Sequence, residues 1–195
     1  AVVAWVPQHC AVAADKAMPS LYARSKDLGF SLVLGGLVGL VGAGVAVAFL
    51  KALSIANDAR VDNGWLIYLL PVAGLVIGLT YHHFGNHVSR GSNLVLEEIH
   101  EPGAGVPRRM APMVFAATFV SHLFGASTGR EGAGIQITSS IVDGVARMFS
   151  PSLETRRLLL ITAIAAAFGG LFGVPIAGVV FALEFQESGR IRYEA

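Results

Sequence analysis

The sequence predicts an all-α membrane protein, built as a bundle of tilted and discontinuous transmembrane helices. Hydrophobic residues make up 54% of the chain and charged residues only 14%, and the mean hydropathy is +0.63. These values lie far from those of soluble domains. Some apolar stretches are long enough to cross a bilayer. Others are short and interrupted by glycine, which is typical of helices that break inside the membrane.

The charge pattern bears on partners and on orientation. The net charge is +1 and the basic residues are scattered, so we expect no nucleic-acid partner. Lys16, Arg24 and Lys26 precede the first apolar stretch, whereas Lys51 and Arg60 are expected in the loop that follows it. By the positive-inside rule the N-terminus is cytoplasmic. We expect an integral protein of the plasma (inner) membrane.

The two ends of the sequence predict a piece of a larger protein. Residues 1–6 form a short apolar run with no basic region before it, unlike a signal peptide. At the other end, RIRYEA follows closely on an apolar stretch. We assign residues 1–27 to an N-terminal cytoplasmic segment and residues 28–195 to an incomplete transmembrane domain. The single Cys10 cannot form an internal disulfide.

The first two predicted elements are membrane spans. Residues 28–53 are apolar except for Ser31 and Lys51, and at about 1.5 Å per residue they cover a hydrocarbon core of about 30 Å. Residues 65–81 form a shorter second span, with aromatic residues and histidines at its ends, as in an interfacial belt. Both spans are therefore expected to contact the lipid bilayer.

The apolar segments after His100 are shorter or broken. Residues 111–126 and residues 133–148 are each short for a full crossing. Residues 158–183 are uncharged but contain several glycines and Pro175. Discontinuous membrane helices commonly direct their ends at a binding site near the midplane. The sequence therefore predicts a site where these segments begin or break.

The stretch GASTGREGAGIQ, residues 125–136, is the strongest functional signal. Its glycines allow a sharp turn and leave backbone amides unpaired at a helix start, where they and the helix dipole attract an anion. Intramembrane acids are functional by default, and Glu131 could occupy this anion site when ionised and leave it when protonated. The alternative is that Glu131 caps its helix and pairs with Arg130.

A second stretch, RGSNLVLEEIHEP, spans residues 90–102. Gly91 followed by Ser92 and Asn93 is a helix N-terminus signature, although a plain N-cap is the alternative to an anion site. The acids and histidine of residues 97–101 resemble a metal cluster, but consecutive residues lie on different faces of a helix. We expect no metal site and no cofactor.

Together with FGVPIAGVVFALEF, residues 172–185, these stretches resemble the CLC family of chloride channels and proton-coupled halide antiporters. In that family a Gly-Ser-Gly-Ile-Pro loop, a Gly-Lys/Arg-Glu-Gly-Pro loop and a Pro-containing helix follow in this order. The resemblance runs from about Gly29 to the C-terminus. It implies that Glu131 is the gating glutamate and proton carrier and that Ser92 lines the central anion site. Independently of the resemblance, the backbone amides at the two helix starts and the Asn93 side chain could donate hydrogen bonds to the anion, so the other expected anion-binding residues are Gly91, Asn93, Gly129, Arg130 and Gly132.

Departures from the family pattern point to one branch. Gly-Ile-Pro does not follow Ser92, and Ala133 stands where the family has proline after Gly132. With the short separation of Ser92 and Glu131, these features look like the fluoride/proton antiporter branch, although that branch carries Asn or Met at the Ser92 position. Phe185 stands where chloride/proton exchangers carry an inner glutamate, and fluoride-branch members and pure channels also lack that glutamate.

The resemblance implies one half of an inverted-repeat transporter. A CLC subunit consists of two inverted halves, and this chain resembles the N-terminal half only. The expected function is proton-coupled transport of fluoride, ahead of chloride, by a homodimer that associates through the C-terminal helix of this half. The alternative within the family is a passive, voltage-gated-type chloride channel.

Two further hypotheses come from other classes of protein. Glu131 and His122 could form the acid/base pair of an intramembrane enzyme, but no nucleophile motif accompanies them, so we expect no enzyme. Alternatively, the glycines could serve helix packing alone in a structural module.

Overall fold

The computed structural model describes residues 21–188 apart from residues 86, 104, 150 and 151, and the described residues contain helices but no β-strand. The chain divides into two compact units, Ala1–Leu34 and Gly35–Ala195. Residues 21–34 of the first unit are helical, and the second unit contains the rest of that helix and the elements that follow. Cys10 and most of the predicted segment 1–27 lie outside the described residues.

The all-helical prediction is confirmed over the described residues. Short 3₁₀ turns occupy Gly64–Leu69, Val88–Arg90 and Arg147–Phe149. The α-helices are α1 (Leu21–Asp62), α2 (Leu70–Phe84), α3 (Ser92–His100), α4 (Met110–Leu123), α5 (Arg130–Ala146), α6 (Leu153–Phe172) and α7 (Pro175–Ser188).

Three helical segments of the described residues are long and apolar enough to cross a membrane: Leu32–Asp62, Gly64–Phe84 and Leu153–Phe172. The first is longer than the predicted span 28–53 and contains both Lys51 and Arg60. The prediction that these two residues lie in a loop was therefore wrong. The polar residues after the apolar run favour helix well enough to extend it, and no glycine or proline interrupts them before Gly64.

The short elements follow the predicted breaks. α4 ends at Leu123, and Gly125 then takes a φ of 89°, in the left-handed region that favours glycine. α5 begins at Arg130 rather than at the predicted residue 133, so Glu131 lies in its first turn. The predicted stretch 158–183 breaks at Gly173, with a φ of 70°, and α7 starts at Pro175, as the preference of proline for first helical positions favours.

The core is formed around α5, which packs against α3, α4 and α6. α6 and α7 approach each other so closely that a Cβ on Gly178 would overlap the carbonyl oxygen of Ala165. Phe49 on α1 lies against Phe115 on α4, with ring centroids 5.9 Å apart. The packing of α3 against α5 brings together the two helices whose beginnings carry the two predicted motifs.

Candidate anion-binding site

The helices α3 and α5 have their first turns next to each other. The Nε2 of Gln136 donates a hydrogen bond to the Oγ of Ser92 at 3.2 Å. A Cβ built on Gly132 would lie 3.6 Å from the same oxygen. Gly91, the N-cap of α3, has a φ of 60°, which glycine adopts without strain. We call Gly91, Ser92, Gly132 and Gln136 the helix-start junction.

Backbone donors are available at this junction. The N-cap residues of α3 and α5 are Gly91 and Gly129, and neither supplies a side-chain cap. Because the first N–H groups of a helix have no intrahelical acceptor, they and the positive ends of the two helix dipoles can bind an anion. The arrangement can therefore bind an anion, as the two motifs predict.

The exposed residues around the junction include Glu131, Asn93 and Gly129. Within the described part of the chain, no hydrogen bond or ion pair joins the Glu131 carboxylate to another side chain, so no pairing with Arg130 is seen. Asn93 likewise forms no side-chain hydrogen bond to a described residue. The geometry thus joins Gly91, Ser92 and Gly132, but leaves Glu131 unpaired at the edge of the junction.

Arg130 belongs to a different feature, a cavity of about 220 Å³ that we call the outer cavity. Arg60 of α1 also lines it, and the buried Nε of Arg60 has no hydrogen-bond partner among the described residues. The remaining lining residues are Asn57, His122, Gly125, Ala126, Ser127 and Thr128. Two positively charged side chains therefore share one cavity beside the start of α5.

His122 is held away from Glu131 by other contacts. Its Nδ1 lies 2.9 Å from the carbonyl oxygen of Thr118 and 3.2 Å from the Oγ1 of Thr128. No hydrogen bond between His122 and Glu131 is present among the described residues. The acid/base pair required by the enzyme hypothesis is therefore not formed.

A buried ionic cluster lies at the other end of α5. Arg156 of α6 is 7% exposed. Its Nε donates to the Oδ1 of Asp143 at 2.6 Å, and a terminal nitrogen donates to the Oε2 of Glu98 at 2.8 Å. We call Glu98, Asp143 and Arg156 the buried triad. It ties α3, α5 and α6 together.

The buried triad also holds the loop that leads from α3 to α4. The amide of Gly105 donates to Glu98 Oε1 at 2.8 Å, and the amide of Val106 donates to Asp143 Oδ2 at 2.8 Å. Arg147 donates to the carbonyl of Val106 at 2.7 Å. The two carboxylates are therefore used for structure, and among the described residues no group of three or more His, Cys, Asp or Glu comes together.

Three residues of these features were not singled out as site residues. Gln136 lies four positions after Gly132 and so on the same face of α5, which was a usable signal. Arg60 was assigned to a loop. Arg156 stands at the start of an apolar helix, 58 positions from its partner Glu98, and no local pattern indicates that pair.

Known proteins are similar to this chain over most of its length. Residues 73–195 match the family described as voltage gated chloride channel. The chain is 46% identical over 164 residues to a chloride/fluoride channel protein of Pseudomonas syringae pv. tomato, covering 84% of this chain and 36% of that protein. It is 31% identical over 168 residues to the H(+)/Cl(−) exchange transporter ClcA of Salmonella arizonae, covering 78% and 34%.

A solved structure of the same family is also similar to this chain. The crystal structure of a CLC-type fluoride/proton antiporter superposes with a TM-score of 0.75 at 31% identity, over 80% of this chain and 40% of that one. The chain thus spans between a third and two fifths of the length of these relatives. The resemblance and the membrane fold predicted from the sequence are confirmed.

Proposed function

Because this chain belongs to the CLC family of voltage-gated chloride channels, we propose that it forms the first half of a halide transporter that exchanges fluoride or chloride for protons. The observation that carries the proposal is the helix-start junction, where the first turns of α3 and α5 meet beside Ser92. The names of the relatives support transport rather than enzyme chemistry.

The hydrogen-bond pattern at Ser92 suits an anion. Its Oγ already accepts from Gln136 Nε2, so its hydroxyl proton remains available for donation. A halide at the junction would accept hydrogen bonds from this hydroxyl and from the first-turn amides of two helices. Fluoride is smaller and more strongly hydrated than chloride, so its site must replace more hydration. Hydrogen bonds to an ionised acceptor are roughly twice as strong as neutral ones, which favours such a donor-rich site.

We assign the gate to Glu131. Its exposed carboxylate lies in the first turn of α5, one residue from Gly132, and no described side chain holds it. When ionised it can occupy the place of the anion at the helix start, and when protonated it can leave. Each time the carboxylate leaves the anion position it would carry a proton, and a halide could then take its place.

The test is Glu131→Gln in the complete protein, reconstituted in liposomes. We expect proton movement to lose its coupling to the halide gradient while halide movement continues, because glutamine cannot carry the proton. The matched control is Glu154→Gln, an exposed acid in the first turn of α6, which should keep the wild-type proton-to-halide ratio. Persistent stoichiometric proton movement in Glu131→Gln would show that the gate assignment is wrong.

A passive chloride channel is the second candidate. Phe185, at the position where chloride/proton exchangers carry an inner glutamate, speaks against such an exchanger and fits a channel and a fluoride-branch antiporter equally. Flux measurements in the same liposomes distinguish a channel from an exchanger. A channel moves halide down its gradient in the wild type with no proton flux, whereas an exchanger drives protons uphill. Fluoride and chloride efflux, read with ion-selective electrodes, identify the preferred ion.

We also propose a homodimer that associates through α7. This helix exposes apolar side chains, with Ile176 83% and Val179 53% exposed, which suits a contact with a second copy of the protein. Light scattering of the detergent-solubilised protein should give the mass of two subunits. A monomeric mass would contradict the proposal.

A further inference from the structure

The side chain of Gln136 reaches the start of α3 from the second turn of α5. Its Nε2 lies 3.2 Å from the Oγ of Ser92. A Cβ on Gly91 would lie 3.4 Å from the same nitrogen, and a Cβ on Gly132 would lie 3.8 Å from it. The amide therefore lies beside both glycines of the helix-start junction, on the face of α5 that also carries Gly132.

The hydrogen bond between Gln136 and Ser92 fixes the role of the serine hydroxyl. Because an amide nitrogen can only donate, the Ser92 oxygen is the acceptor. Neither side chain forms a further hydrogen bond with a residue that the structure describes. The hydroxyl proton of Ser92 must therefore point away from Nε2, and it remains available to a ligand at the junction.

A serine at the start of a helix has a competing local arrangement. Its oxygen can turn to a backbone amide of the first turn and accept a hydrogen bond from it. That bond would take one amide away from the donors that can reach an anion. In α3 no side chain forms such a cap, and the N-cap residue is Gly91. By occupying a lone pair of Ser92, Gln136 opposes this arrangement and leaves the amides free.

From these contacts we infer that Gln136 is a positioning residue, which turns the Ser92 hydroxyl toward the halide and thereby favours fluoride over chloride. The inference rests on the proposed function, because it concerns the same anion site. To that function it adds the residue that sets ion preference. Gln136 acts through Ser92, its hydrogen-bond partner in the described chain, and not by contact with the ion.

The preference for fluoride follows from the strength of the hydrogen bond that the hydroxyl donates. Hydrogen bonds to ionised acceptors are the strong ones, and fluoride is a stronger acceptor than chloride. An oriented donor therefore stabilises bound fluoride more than bound chloride. A hydroxyl that turns to a backbone amide loses this difference, so removal of Gln136 should weaken the binding of fluoride more than that of chloride.

The experiment measures initial flux against fluoride and against chloride concentration, with the complete protein in liposomes. Gln136→Met keeps the length of the side chain but donates no hydrogen bond. We expect its half-saturating concentration to rise about tenfold for fluoride and about threefold or less for chloride, the order of one hydrogen bond to a charged group. Gln136→Glu has the same shape, and its carboxylate accepts the Ser92 proton, so it should weaken fluoride at least as much. Gln186→Met is the matched control at a glutamine of α7 without a hydrogen bond to a described residue, and it should change neither value.

A double-mutant cycle tests whether Gln136 acts through Ser92. Ser92→Ala removes the hydroxyl and should itself weaken fluoride more than chloride. Adding Gln136→Met to Ser92→Ala should then change the half-saturating fluoride concentration by less than about twofold, because two changes in one hydrogen bond are not additive. If Gln136→Met costs the same factor with and without the hydroxyl, Gln136 does not position Ser92 and the inference is wrong.

A binding measurement keeps the inference and the transport proposal apart. Fluoride should raise the thermal midpoint of the detergent-solubilised wild type relative to gluconate at equal ionic strength, since a ligand that binds the folded state stabilises it. Gln136→Met should lose most of this shift. If the wild type moves no halide but shows the Gln136-dependent shift, the transport proposal fails and the positioning role stands.

The inference itself is overturned if the wild type exchanges halide for protons and Gln136→Met keeps the wild-type ratio of fluoride to chloride affinity. An equal loss of both affinities, or a loss of maximal rate alone, would indicate a structural role. Tighter fluoride binding in Gln136→Met would also contradict the inference, because it would mean that Gln136 withholds the Ser92 proton from the ion.

Discussion

Arginine side chains lie near both ends of α5, but only the arginine near its C-terminal end is paired with carboxylates of the described chain. At the C-terminal end, Arg156 is enclosed by the carboxylates of Asp143 and Glu98 at 2.6 and 2.8 Å. At the N-terminal end, Arg60 and Arg130 line a cavity with no described carboxylate. Both ends use guanidinium groups, but only one supplies the matching acids from within the described chain.

This difference separates a structural role from a binding role. A buried charge is tolerated when it is paired and its partners are also hydrogen-bonded. The triad meets this condition, since both carboxylates also accept from backbone amides of the loop before α4. The outer cavity does not meet it, because the Nε of Arg60 lacks an acceptor. The first cluster supplies its own counter-charges, whereas the second has none among the described residues.

The largest predicted effect comes from breaking the buried triad. Arg156→Met leaves the buried carboxylate of Glu98 without a cation and Asp143 with only the more exposed Arg147, 3.3 Å away, so we expect a loss of about 3–5 kcal/mol in unfolding free energy. Chemical denaturation in detergent micelles measures it. Arg157→Met is the matched control, since Arg157 is half-buried and in no described ion pair, and it should change stability by less than about 0.5 kcal/mol.

A combined variant tests whether charge, rather than volume, causes that loss. Adding Glu98→Gln and Asp143→Asn to Arg156→Met removes all three charges and should recover much of the stability, because a neutral replacement of a buried ion group is often tolerated. A combined variant as unstable as Arg156→Met alone would assign the loss to packing.

The sequence predicted the helix starts better than the side-chain clusters. Glycines next to Ser92 and Glu131 are local signals, because glycine permits the backbone conformation that a sharp turn before a helix needs. The break at Gly173 and Pro175 is equally local. These features could be predicted without knowing which helices pack together.

The clusters depend on tertiary contacts that no local pattern contains. Glu98 and Arg156 are 58 positions apart, and Glu98 was considered only together with its neighbours as a metal ligand. Arg60 was expected in a loop because it lies between the two predicted spans, yet α1 continues through it to Asp62. Only the packing of α1 against the turn at Gly125 brings Arg60 beside Arg130.

Adding an acid to the outer cavity should stabilise the protein slightly, in contrast to the large loss of stability expected for Arg156→Met. Ser127 is exposed and lines the cavity, so Ser127→Asp places a carboxylate within reach of the arginines. We expect stabilisation of about 0.5–1 kcal/mol in unfolding free energy, typical of an exposed ion pair, measured by chemical denaturation in detergent micelles. Ser127→Asn has nearly the same shape without the charge and should leave stability unchanged. Equal behaviour of the two variants would contradict the charge argument.

The smallest effect concerns Arg60→Gln in halide-free buffer. Because Arg60 and Arg130 carry like charges and no described partner compensates either one, removing one charge should cost no more than about 0.5 kcal/mol in unfolding free energy, or stabilise slightly. Chemical denaturation in gluconate measures this, beside Arg156→Met under the same conditions. A loss as large as that of Arg156→Met would mean that Arg60 has a strong partner in the complete protein. The two ends of α5 would then both be structural, and the difference between them would lie only in which part of the protein supplies the acid.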